Sequence, residues 1–208
     1  MKTDVIMIHG DLKGHSQAMQ AEEKFAAYHE IYGKNALHLR LLTEEAISMI
    51  HGILDDFRAD FWLESERTKK GLLCRICISV EKQVNREQEA HILSVATSGK
   101  NENARGIVGK IREIFRRSLQ TASNEDEAFL QSMNNVWSGI NIGHAGFSAH
   151  DVNFWSLQLY RQEIESKKEV KTTEWDELEK SIIAKLADEV KVWLNNDSTE
   201  VTIEKLIR

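Results

Sequence analysis

Apolar positions along this chain follow two periods, and the switches between them outline the elements. Residues 3–9 alternate, with Val5, Met7 and His9 on one face and Asp4, Ile6 and Ile8 on the other, before Gly10-Asp11. That is a strand signal ended by turn residues. From 15 to 32, Met19, Glu22/Glu23, Phe25, Ala26 and Tyr28 predict a helix, with Gly33 as the glycine just past its end. Asn35 then reads as the N-cap of a second helix reaching 54. Its stripe of Leu39, Leu42, Ala46, Met49/Ile50 and Ile53 has the spacing of one helical face. Period-two alternation returns at 60–64 and at 72–81. In the second of these, Leu72, Cys74, Ile76, Ile78 and Val80 share a face opposite Leu73, Arg75, Cys77 and Ser79. The polar stretch 66–71 makes the two an antiparallel hairpin.

In the second half, Asn85 caps a predicted short helix to 95, and a small, polar loop at 96–106 opens into a helix over 106–119. Ile107, Ile111 and Ile114/Phe115 point inward from that helix. The stretch 120–151 is the least regular, with Gly139, Gly143 and Gly146 among Asn, Ser and His. A helix is predicted over 152–166, holding Phe154, Trp155, Leu157, Leu159 and Tyr160. Thr173-x-x-Asp176 is a near capping box for a helix to 189 that buries Trp175, Leu178, Ile182, Leu186 and Val190. A hairpin of 191–194 and 200–207, turning at 195–198, closes the chain. Helices and antiparallel hairpins in mixed order predict an α+β fold: a helix layer on a mostly antiparallel mixed sheet. One domain spanning 1–208 is expected, with 120–171 as an irregular helical insertion.

Composition narrows the functional classes. With 208 residues, 41% hydrophobic and 29% charged, the chain can bury a core and is neither disordered nor fibrous. A net charge of −6 gives no general attraction to nucleic acid or anionic membrane. No apolar run spans a bilayer and no secretory leader is apparent, so with two cysteines a reducing cytoplasm is the expectation. The chain has no proline, which permits long uninterrupted helices.

Chemistry-bearing residues are sparse. Cys74 and Cys77 lie three apart on a strand, hence on opposite faces, and cannot converge on one metal. His144, His150 and Asp151 could belong to a metal-dependent hydrolase site or to a plain polar loop, since their spacing matches no standard ligand motif. Glu45 falls on the shoulder of the second helix's stripe, in line with His38 and Met49. It reads either as a pocket-rim carboxylate or as a solvated charge. Around 97–110, Ser98, Gly99, Lys100, Arg105, Gly106, Gly109 and Lys110 surround a helix start, which is a natural anion cradle or an ordinary loop-to-helix junction.

These pieces occur in a familiar order. Phe25-Ala-Ala-Tyr-His, then Asn35-Ala-Leu-His-Leu-Arg-Leu-Leu-Thr-Glu-Glu-Ala-Ile-Ser-Met-Ile-His51, and later Ala104-Arg-Gly-Ile-Val-Gly-Lys-Ile-Arg-Glu-Ile-Phe115, carry it. Together they resemble the GHKL ATP-binding family (Bergerat fold, histidine kinase-like ATPases), nearest its anti-sigma-factor serine-kinase branch. The stretch 175–207 is similar to the corresponding part of bacterial ATP-binding proteins. The resemblance implies a two-layer sandwich with ATP between helices and sheet, Glu45 as a general base or as the group that orients water and substrate, and phosphate contacts from the glycine segment holding Gly106 and Gly109.

The departures from the family are as informative. Its Mg²⁺-binding asparagine falls on Met49, a thioether ill suited to a hard cation that prefers oxygen. Its Asp-x-Gly-x-Gly box is missing, since Glu81-Lys-Gln-Val-Asn-Arg follows Val80. Two functions therefore stand. One is a catalytically impaired regulatory domain acting through a protein partner or a second copy of itself, with Trp137, Phe147, Phe154 and Trp155 either as partner anchors or as side chains that pack the insertion onto the sheet. The other is an active ATP-binding kinase or ATPase using Glu45.

Overall fold

In the computed structural model the described residues are 1–54, 56–81, 109–111, 114, 153–166, 181–194 and 198–208. In chain order they form β1 (Ile6–His9), α1 (His15–Tyr28), α2 (Gly33–Ile53), β2 (Arg58–Thr68), β3 (Gly71–Glu81), β4 (Asn153–Ser156), α3 (Leu157–Ser166), α4 (Ile182–Leu186), β5 (Glu189–Leu194) and β6 (Ser198–Ile207). The strands make one six-stranded sheet in the order β1-β2-β3-β6-β5-β4. Every described pairing is antiparallel, so these strands form no mixed sheet.

The fold is α+β, with one apolar core between the helices and one sheet face. From the strands it takes Ile8, Phe61, Leu63, Ile76, Ile78, Val192 and Ile203. From α1 it takes Ala18, Phe25 and Ala26, and from α2 Leu39, Leu42, Ala46, Ile47 and Ile50. The period-two faces of β3 divide as expected: Cys74, Ile76, Ile78 and Val80 enter this core, and Arg75 and Ser79 do not. Thr43 is fully buried in α2 because its hydroxyl donates to the Leu39 carbonyl at 3.0 Å, one turn back.

Local chemistry moves several predicted boundaries. α1 stops at Tyr28, and the left-handed residue past its end is Glu30 (φ 54°), not Gly33. The Ile31 N–H donates to the Ala26 carbonyl and the Glu30 N–H to that of Ala27, which is a Schellman closure with Ile31 buried beneath it. Gly33 is instead the first residue of α2, whose N-cap is Tyr32 rather than Asn35. At the other end of α1 the cap is Gly14, at φ 83°. A Cβ there would come within 2.1 Å of the Met7 carbonyl oxygen on β1, so helix and strand can meet only at a glycine.

The strands are longer than their apolar alternation suggests. β2 runs on through polar Glu66, Arg67 and Thr68 because β3 pairs with it as far as Thr68, leaving Lys69-Lys70 as the turn. The expected helix over 152–166 begins as β4, in which Phe154 and Trp155 lie opposite Trp193 and Val192 of β5. Residues 153–166, read as part of an insertion, thus belong to the sheet and its helix layer. The helix expected to reach 189 ends at Leu186, and Val190 is a strand residue. Its buried positions among the described residues are Ile183 and Ala184, while Ile182 is exposed.

Candidate functional site

The 21-residue α2 is the element on which the resemblance places a catalytic base and a metal ligand. Glu45 lies half-exposed on it. Met49 is only 4% exposed and belongs to the apolar core. A soft sulfur packed among apolar side chains offers a hard cation neither the oxygen nor the water it requires. The donor set on α2 does not fit Mg²⁺. His38, on the same helix, has its imidazole pKa lowered by burial first and then by Lys205 and Lys34, so protonation is disfavoured there.

Of the predicted phosphate cradle, Ser98, Gly99, Lys100, Arg105 and Gly106 lie outside the described residues. So do His144, His150 and Asp151, and the aromatics Trp137 and Phe147. Gly109 is buried, and Lys110 holds its ammonium 5.9 Å from the centre of the Tyr160 ring on α3. Residues 109–111 and 114 are helical, with Ile111 and Ile114 in the core as their spacing predicts. Phe154 and Trp155 are not free anchors: Phe154 packs on Trp193 at 4.2 Å and Trp155 on Tyr160 at 5.9 Å, which ties β4 and α3 to the sheet.

Cys74 faces the helices and Cys77 the opposite side of the sheet, beside Trp62 and Thr202 in the strand register. Both are buried free thiols, and desolvation raises them to about 11 and about 12, away from reactive thiolate character. Among the described residues no three His, Cys, Asp or Glu side chains gather as a metal site. No helix among them is long and apolar enough to cross a membrane.

Polar clusters on the sheet and on the helix layer escaped sequence reasoning. On the outer sheet face, Arg75 pairs with Glu66 at 2.7 Å and Glu204 at 3.2 Å, and Lys191 reaches Glu204 at 2.8 Å. Nearby, the Lys2 ammonium stands 4.2 Å above the Trp62 ring, whose N–H donates to Glu64. Buried Glu189 accepts from the Ser156 hydroxyl at 2.9 Å, the Gln158 N–H at 3.2 Å and the Val190 N–H at 2.8 Å, and so anchors the start of α3. The alternation of charges on β3, β5 and β6 marks the outer face, but the register that aligns them is a long-range fact.

The helix-layer cluster joins α1 to α2. Arg40 pairs with Glu23 and, at 3.5 Å, with Glu44, while Glu22 lies beneath them at 2% exposure. Where α1 passes into α2, Tyr28, Tyr32 and Leu37 are 69%, 71% and 54% exposed.

Comparison with known proteins finds no matching family model, no matching curated protein and no matching solved structure.

Proposed function

We propose that this chain is a regulatory protein that acts by binding another protein, on a GHKL-like scaffold impaired in metal-dependent phosphoryl transfer. The observation that carries the reading is Met49. At the position where the resembled family holds Mg²⁺, this molecule has a core thioether, and phosphoryl transfer rests almost wholly on metal and positioned charge. The exposed Tyr28, Tyr32 and Leu37 support the partner-binding part, because exposed aromatics are favoured anchors at protein interfaces.

Thermal unfolding with and without millimolar Mg·ATP tests the loss of activity. No shift is expected, whereas a nucleotide present at about 100 times its dissociation constant would stabilise the fold by about 2.7 kcal/mol. Affinity capture from native lysate tests partner binding. A stoichiometric partner lost on replacing Tyr28 and Tyr32 by Ser supports the reading; a monomeric chain with no partner overturns it.

The half-exposure of Glu45 favours a second reading, an active kinase or ATPase of the anti-sigma-factor kinase type. On that reading Glu45→Ala abolishes ATP turnover and leaves the unfolding midpoint unchanged. Absence of turnover in the unsubstituted chain rejects it.

A further inference from the structure

Glu22 occupies the middle of the α1 stripe, one turn from Ala18 and beside Phe25–Ala26, in a position that helical periodicity reserves for an apolar residue. Among the described residues it makes no hydrogen bond or ion pair; Arg40, the cation acting on it, is bound at the rim by Glu23 and Glu44, and the carboxyl oxygens keep only a trace of solvent contact. The charged groups acting on it are Glu23 from its own helix and Arg40 and Glu44 from α2. β1 and β2, which also pack on α1, contribute apolar Ile8, Phe61 and Leu63 to the core.

We propose that Glu22 makes the α1–α2 seam a proton-gated contact, closed while its carboxyl is protonated and loosened when it ionises. A neutral carboxyl can be buried at modest cost, but a carboxylate in the same place cannot without a partner. One guanidinium shared with two rim carboxylates is a weak partner for a third. Burial pushes the Glu22 pKa up to about 7; Arg40 opposes this, and Glu23 and Glu44 add to it. The folded value lies above the ordinary 4.5. The contribution of the seam is therefore complete below about 4.5 and is lost as pH rises through about 7.

The test is amide hydrogen exchange on the full chain at pH 5.5 and 8.5, corrected for intrinsic rates. Exchange in α1 should accelerate by about tenfold or more relative to β3 at the higher pH. Glu22→Gln should remove that difference. Equal pH dependence in the two proteins, or acceleration spread evenly over α1 and β3, overturns the proposal. Should Glu22→Gln fail to fold, the carboxyl ¹³C resonance of Glu22 in the unsubstituted chain decides. A midpoint near 7 supports the gate, and one near 4.5 overturns it.

Discussion

Glu22 and Glu189 are both buried, at 2% and 8% exposure, but they are housed in opposite ways. Glu189 lies where two strands and a helix start converge, and three donors reach its oxygens. Glu22 lies on a seam between two helices, whose backbone N–H groups are already used within each helix, so no backbone donor reaches it and Arg40 acts on it only from the rim. Depth of burial alone says little about what a carboxylate does for a fold. The available donors decide whether it acts as a bracket or as a liability that a proton must relieve.

The contrast can be broken most directly at Glu189. Glu189→Ala strands the Ser156 hydroxyl and two N–H groups, and should lower stability by about 2–4 kcal/mol in urea unfolding at pH 7. A loss under 1 kcal/mol would mean that the bracket is dispensable. Glu22→Met should act with the opposite sign, raising stability by about 2–3 kcal/mol at pH 8 and by much less at pH 5. Destabilisation at both pH values would contradict the contrast. Glu30→Gly, just past the end of the same helix, serves as a control: relief of a left-handed non-glycine residue should add about 0.5–1 kcal/mol equally at pH 5 and 8. The smallest change is Arg40→Gln. The loss of two exposed ion pairs should cost under about 1 kcal/mol, yet raise the Glu22 midpoint further by removing the cation that holds it down. An NMR titration of that carboxyl reads the second effect.

What could be read from the sequence was local. The α2 stripe, the β3 alternation and the β2–β3 and β5–β6 hairpins follow from period and turn chemistry, and the opposite facing of Cys74 and Cys77 from period two alone. Gly33 misled because a glycine after a helix usually closes it, whereas here Glu30 accepts the strained conformation under a Schellman closure. Phe154 and Trp155 suit a helix or a strand equally, and pairing with β5 decides in favour of the strand. Glu22 was recognisable as an inward-facing helix position beside Glu23. That Arg40 would be committed elsewhere depends on how α1 and α2 pack, which no local pattern encodes. The burial of Met49 follows from its place in the α2 stripe, whereas the partial burial of Glu45 depends on how the helix sits on the fold.

The centre of the sheet joins β3 to β6, setting residue 72 against 207 and residue 81 against 198. These partners lie at remote points of the polypeptide, so the ladder cannot zip until the last strand has been synthesised. Loop closure over such a span is slow, and until it happens β3 presents a bare edge to any passing strand. Newly made copies are therefore most vulnerable to sticking to one another in the interval between formation of the β2–β3 hairpin and the arrival of β6.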